Sequence, residues 1–166
     1  MRVIRDREII EDALVHLADD EELPELGRFT VSATRWLEER DALRARPEAG
    51  LRINGDDALD VLLSELDHVA TIAIEFPRFS DGRGYSIARK LREQHGYAGE
   101  LRSTGDVLRD QLFFMARCGF DVFEVRADTC FDEALRAFED FSVTYQPAAD
   151  GRPPIYRQDL GERLVG

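Results

Sequence analysis

Lysine is almost missing from this chain. Of its 22 basic residues 21 are arginine, and Lys90 stands alone. Schiff-base chemistry is therefore confined to one position, in an ordinary helical context. Thiols are scarce as well: Cys118 and Cys130 have no second cysteine near them, and His16, His68 and His95 are scattered among charged residues. Zinc sites need denser Cys/His spacing, and iron–sulfur clusters usually need four thiolates, so no metal or cofactor is assigned. Basic charge is outweighed, 22 residues against 34 acidic, for a net −12. That speaks against binding to nucleic acid or to anionic membranes. No apolar run approaches the ~20 residues of a membrane span. The opening MRVIRDREII lacks the apolar stretch of a secretory leader. The expectation is a cytoplasmic protein with reduced thiols.

What is present suits one ordinary globular core. The 166 residues are 43% apolar and 34% charged, enough for a single sizeable domain and too few for two. The first 28 residues are acidic and mixed; VIRD is a candidate extra strand and Asp19–Glu25 a loop. From residue 29 to 146 short β-like runs alternate with helical ones. Phe29–Val31 precedes a helix over Thr34–Arg46, with Thr34 as candidate N-cap. Leu51–Ile53 precedes Ala58–Leu66, whose Leu59, Leu62, Leu63 and Leu66 keep the helical period. Val69–Phe76 is a buried strand, and Tyr85–Gln94 a helix stopped by Gly96. Gly99–Ser103 is the fourth strand, after which Asp106 is placed to cap Val107–Arg117. Phe120–Arg126, a helix over Phe131–Phe138 and a last strand Phe141–Tyr145 complete the series. Residues 147–166, rich in Gly, Pro and charge, read as an extended arm.

Strands that recur every twenty-odd residues with helices between them predict a mainly parallel α/β sheet. Alternation sharpens this. Ile72, Ile74 and Phe76 face one way, with Leu101, Phe123 and Val125; Glu75, Glu100, Arg102, Glu124 and Arg126 face the other. One greasy face and one polar face fit a barrel interior with a polar mouth better than a doubly wound sheet, which buries both faces. A full barrel takes ~250 residues. Five or six βα units, a truncated TIM-barrel-like sheet, are therefore expected, with a flavodoxin-like open sheet as the alternative. Open edges predict cover by the termini or by a homodimer partner.

Two loops carry candidate chemistry. In the segment Phe76–Tyr85 (FPRFSDGRGY), two Gly and two Arg follow a strand, a composition suited to an oxyanion. The spacing is neither a P-loop nor a dinucleotide fingerprint. The other reading is a turn capped by Asp81, with the arginines paired to nearby acids. In Glu100–Gln111 (ELRSTGDVLRDQ), Arg102 and Asp106 bracket the next turn. The candidate anion-binding set is Arg78, Arg83 and Arg102. Asp81, Asp106 and Glu75 are the candidate proton-handling groups, with Tyr85, Arg109, Asp110, Glu100, Glu124 and Arg126 in support. Glu75, Glu100 and Glu124 equally suit an interior salt-bridge network with Arg102 and Arg126. Cys118 at a helix C-terminus reads as a core thiol. Cys130, before a helix, is better placed for a thiolate but has no base nearby in sequence.

The blocks FPRFSDGRGYS, GELR, GDVLRDQ and RCGF resemble an uncharacterised bacterial family, domain of unknown function 934, over about residues 25 to 146. Ser103 and Thr104 depart from the Ala and small aliphatic residue expected after GELR. Members are commonly labelled probable oxidoreductases of sulfite reduction. The resemblance implies a place in assimilatory sulfate and sulfite reduction rather than a particular reaction. Two expectations follow. The first is an accessory protein, without its own redox centre, that binds sulfite reductase, another enzyme of the pathway or its oxyanion. The second is a small barrel-mouth enzyme acting on an anionic substrate. Convergence of the named residues in one concave pocket distinguishes the enzyme from the adaptor.

Overall fold

The computed structural model describes residues 1–138. The last expected strand and the arm, residues 141–145 and 147–166, lie outside them. The described residues build one eight-stranded sheet: β1 (Arg2–Arg5), β2 (Glu8–Glu11), β3 (Val15–His16), β4 (Phe29–Ser32), β5 (Ala49–Ile53), β6 (Thr71–Phe76), β7 (Glu100–Gly105) and β8 (Val122–Phe123). Its spatial order is β2-β1-β8-β7-β6-β5-β4-β3. From β3 to β8 neighbours are parallel and follow chain order. β1 joins β8 antiparallel, and β2 closes a hairpin on β1. The sheet is thus mostly parallel but mixed, and the segment before residue 29 supplies three of its strands.

Its curvature follows from the connectivity. β2 is one edge and β3 the other, yet only Asp12, Ala13 and Leu14 separate them in sequence. Four Cα steps span at most ~14 Å, whereas the edges of a flat sheet of this width would stand ~34 Å apart. The sheet must curl until its two edges approach, and it forms a curled half-barrel.

The helices are α1 (Ala33–Glu38), α2 (Arg40–Arg44), α3 (Leu59–Leu62), α4 (Arg83–Arg89), α5 (Leu112–Cys118) and α6 (Phe131–Arg136). The expected helix over 34–46 is two helices broken at Glu39, and its cap is Ser32, whose Oγ accepts the Arg35 N–H at 3.2 Å, not Thr34. The helix expected over 107–117 begins later, as a 3₁₀ turn at Arg109–Gln111 leading into α5. Gln111 Oε1, not Asp106, accepts the Leu108 N–H, at 3.1 Å. α4 continues through a π turn at Lys90–Gln94.

Strand alternation decides which face the helices cover. Val31, Leu51, Ile53, Ile72, Ile74, Leu101 and Phe123 are buried in one cluster with Trp36, Leu43, Leu62, Leu91 and Met115. The opposite face lines the inside of the curl. It is narrow at Gly50, where a β-carbon would lie 2.9 Å from the Thr71 carbonyl oxygen and 3.0 Å from Thr30 Cγ2. Among the described residues no helix is long and apolar enough to cross a membrane.

Candidate functional site

Inside the curl, the polar half of the strand alternation becomes one charged network. Arg102, fully buried in the middle of β7, sends Nη1 to Glu124 at 2.7 Å and Nη2 to Asp12 and to Glu100, the latter at 3.1 Å. Glu100, at the start of β7, also accepts from Arg5 and, at 2.8 Å, from Arg28 Nη2. A second Arg28 Nη2 contact reaches Thr71 Oγ1 at 2.8 Å.

His16, on the far edge strand, reaches across the interior. Its Nε2 lies 2.9 Å from Glu124 Oε2 and its Nδ1 2.6 Å from Thr30 Oγ1. When the imidazole is neutral, Nε2 carries the proton toward the carboxylate and the Thr30 hydroxyl donates to Nδ1. Arg5, Arg28 and Arg102 then balance Asp12, Glu100 and Glu124.

Balance does not remove the cost of burial; hydrogen bonding offsets it. Burial raises the pKa of Asp12, but the Arg102 guanidinium and the Leu14 N–H outweigh it and hold the carboxyl below the ordinary aspartate value. Burial likewise raises Glu124, and His16, Arg102 and Thr104 bring it below the usual range. Asp12, Glu124 and Arg102 therefore stand charged at neutral pH. Of these residues, Glu100, Arg102 and Glu124 belong to the face read from strand alternation. Asp12, His16, Arg5 and Arg28 were not singled out, because they come from the mixed opening segment. Arg28-Phe29-Thr30-Val31-Ser32 does alternate polar and apolar, so the signal for Arg28 and Thr30 was there; nothing local marks Asp12.

The remaining candidates stand on the rim at the C-terminal ends of the strands. Arg83 does not meet Arg102. It is half-exposed and forks onto Asp81, Nη2 to Oδ2 at 2.7 Å and Nε to Oδ1 at 2.9 Å, with Nη1 on Asp56. The same guanidinium brings Asp81 down to about 2. This is the capped-turn arrangement, and it ties the loop after β6 to the loop after β5. Arg78 is exposed and has no ion-pair partner among the described residues.

Asp106 accepts the Phe79 N–H at 2.9 Å and pairs with Arg126 at 3.3 Å. Gln111 Nε2 donates to the Phe79 carbonyl at 2.7 Å. Arg126 forks onto Asp128, 2.7 and 3.0 Å away, so it is not part of the interior network. Glu75 is partly exposed, 3.8 Å from Arg52. Tyr85 packs its ring between Phe76 and Phe114, 5.2 Å from each, and burial pushes its phenol up to about 12.

Arg109, Asp110 and Arg126 do come together. With Leu108, Asp128 and Thr129 they line a rim cavity of about 290 Å³. Cys118 is buried and Cys130 exposed ahead of α6. Among the described residues no group of three or more His, Cys, Asp or Glu side chains is arranged to hold a metal ion.

A family model described as bacterial protein of unknown function (DUF934) matches residues 50–156, about two thirds of the chain. The chain belongs to the DUF934 family. The match takes in β5 to β8 with Glu100, Arg102 and Glu124, and it leaves out Arg5 in β1, Asp12 after β2, His16 in β3 and Arg28 just before β4. No curated protein and no solved structure matches.

Proposed function

We propose that this DUF934 protein is a cytoplasmic accessory protein of assimilatory sulfate and sulfite reduction. It binds sulfite reductase, another enzyme of that pathway or its oxyanion, and carries no redox centre of its own. In fold it is a truncated relative of the singly wound parallel barrels. The support is that β3 to β8 keep chain order, without the reversal that makes the ligand crevice of doubly wound sheets.

One observation carries the functional reading. A barrel enzyme turns its reactive polar groups toward substrate at the C-terminal mouth; the polar groups inside this curl are bonded to one another instead. Arg102 is committed to Asp12, Glu100 and Glu124, and His16 has both ring nitrogens occupied. Arg83 is engaged by Asp81 and Asp56 on the rim, whereas Arg102 is buried in the interior. Recognition then falls to the surface, and the chain's net −12 suits a basic partner face reached by electrostatic steering.

The second reading, a small enzyme acting on an anion, is favoured by the 290 Å³ rim cavity with Arg109 and Arg126 at the ends of β7 and β8. One pair of titrations separates them. Purified sulfite reductase titrated with the chain should show saturable association that weakens steeply with salt. Sulfite or sulfate titrated alone, with Arg109→Ala as the control, reports on the cavity. Association without turnover supports the accessory reading. Turnover of an anion by the chain alone, lost in Arg109→Ala, refutes it.

A further inference from the structure

This chain has one asparagine, Asn54, and glycine follows it. Asparagine is chemically labile because the next peptide nitrogen can attack its side-chain amide. Glycine, with no side chain in the way, leaves that nitrogen most open. The surrounding geometry decides whether a folded chain permits the attack.

Asn54 stands just after β5, half-buried on the rim. Its Oδ1 accepts the Asp56 N–H at 2.7 Å, which folds the side chain back along its own following peptide. The same bond draws charge off the side-chain carbonyl and is placed to hold the oxyanion that forms when Cγ is attacked. The Gly55 N–H has no hydrogen-bond partner among the described residues. Arg83 lies over it: a β-carbon at Gly55 would stand 2.5 Å from Arg83 Nε and 2.7 Å from Cζ. With Arg83 in place, a side chain there would collide. The guanidinium's positive charge also favours loss of the Gly55 amide proton. Electrophile, oxyanion donor, open nucleophile and cation thus meet at one peptide.

Asp81-Gly82, in the neighbouring rim loop, is the contrast. Aspartate before glycine cyclises by the same route, chiefly from its protonated carboxyl. Here Arg83 holds both Asp81 oxygens, 2.7 and 2.9 Å away, and its own N–H adds a bond to Oδ1 at 3.1 Å. Asp81 stays ionised and fixed. One arginine therefore promotes cyclisation at Asn54 and blocks it at Asp81.

We propose that Asn54 is a site of spontaneous covalent modification. Gly55 N, having given its proton to solvent, bonds to Asn54 Cγ; the Cγ–Nδ2 bond breaks and ammonia leaves, giving a succinimide. Water then opens the ring at either carbonyl, to aspartate or to isoaspartate. The first product adds a carboxylate beside Asp56 and Asp57. The second adds a methylene to the main chain where Arg83 ties the loop after β5 to the loop after β6. Water is the one co-reactant, and nothing in this chemistry depends on the pathway reading.

The test is peptide mapping of the full chain held warm at mildly alkaline pH, native and unfolded in urea. Asn54 lies in the tryptic fragment Ile53–Arg78. That fragment should gain the mass of an amide-to-acid change and become a substrate for isoaspartyl methyltransferase, and the native chain should react at least as fast as the unfolded one. Arg83→Ala should slow the change at Asn54 by about tenfold and let isoaspartate appear at Asp81. A rim that was merely loosened would speed both. Asn54→Gln should abolish the mass gain. A native chain slower than the unfolded one would show that the fold protects Asn54, and would overturn the proposal. Faster or unchanged reaction at Asn54 in Arg83→Ala would overturn it equally.

Discussion

Replacing Arg102 with Met keeps most of the side-chain volume and removes the one charge that faces three acids. The partners left behind differ in their remaining support. Glu100 keeps Arg5 and Arg28, and Glu124 keeps His16 at 2.9 Å. Among the described residues Asp12 retains the Leu14 N–H at 3.0 Å and a distant Arg5 at 3.8 Å. Breaking a buried pair by removing one member costs about 3–5 kcal/mol, a large part of the 5–15 kcal/mol of a typical domain. In a domain of this size that is a fall in melting temperature of roughly 6–20 °C.

The pH dependence carries the sharper test. In the native protein Asp12 and Glu124 lie below their ordinary values. They contribute stability above the unfolded carboxylate pKa, and it is lost as pH falls through the folded one. In Arg102→Met burial acts without the guanidinium, so at least Asp12 should rise above its unfolded value. Its penalty is then greatest at neutral pH and is relieved as pH falls toward about 4. Urea unfolding at pH 7.5 and pH 5 should show the gap between native and variant narrowing in acid, and adding Asp12→Asn should recover part of the loss at pH 7.5. A gap below about 1 kcal/mol, or one that does not narrow, would mean that the interior is wet and the network unimportant to stability.

Four further outcomes are expected. Arg92 donates to the carbonyls of Tyr97, Gly99 and Gly119 at 2.5, 2.8 and 3.0 Å and to Asp121 at 2.5 Å, so Arg92→Met should cost about 3 kcal/mol or more by denaturant titration. Gly50→Ala places a methyl 2.9 Å from the Thr71 carbonyl oxygen and should cost about 1–3 kcal/mol. The β1–β2 hairpin turns on Asp6 and Arg7, both at positive φ, 51° and 63°. Asp6→Asn with Arg7→Gly should raise stability by about 1 kcal/mol, visible as a higher melting temperature. Arg83→Ala should lower the melting temperature slightly by releasing the Asp81 turn, with no change in sulfate affinity by calorimetry; a loss of affinity with no change in melting would restore the loop as an anion site.

Where a residue's neighbours lie one strand or one turn away, sequence alone was a good guide. Ile72, Ile74 and Phe76 alternate with Thr71, Ala73 and Glu75, and the faces follow. The polar side of β7 and β8 was read the same way, including Glu100, Arg102 and Glu124. Long-range partners were not legible. Asp12 meets Arg102 across 90 positions and His16 meets Glu124 across 108, and no local pattern announces such pairs. Their cause is the three-residue link between the sheet edges, visible only once strand order is known. Helix ends also misled: Asp106 has the chemistry of a cap, but its carboxylate is engaged by the Phe79 N–H and Arg126.

The pairing of Ile4 with Phe123 has a consequence for how the molecule comes into being. On a ribosome adding roughly 5–20 residues per second, β1 and β2 emerge long before β8 and can close their hairpin at once. Their place in the sheet does not exist until β8 has been made, several seconds later. Meanwhile the parallel strands can be laid down in order of synthesis, β3 against β4 and onward. The first hairpin is thus formed early and seated late, across the widest sequence separation of any strand pair among the described residues. Until it is seated, the Asp12 carboxylate has no Arg102 to meet, and the free margin of β8 is open to any strand that passes. A nascent chain stalled before residue 122 should therefore be protease-sensitive at the β1–β2 hairpin, which has no β8 to pair with.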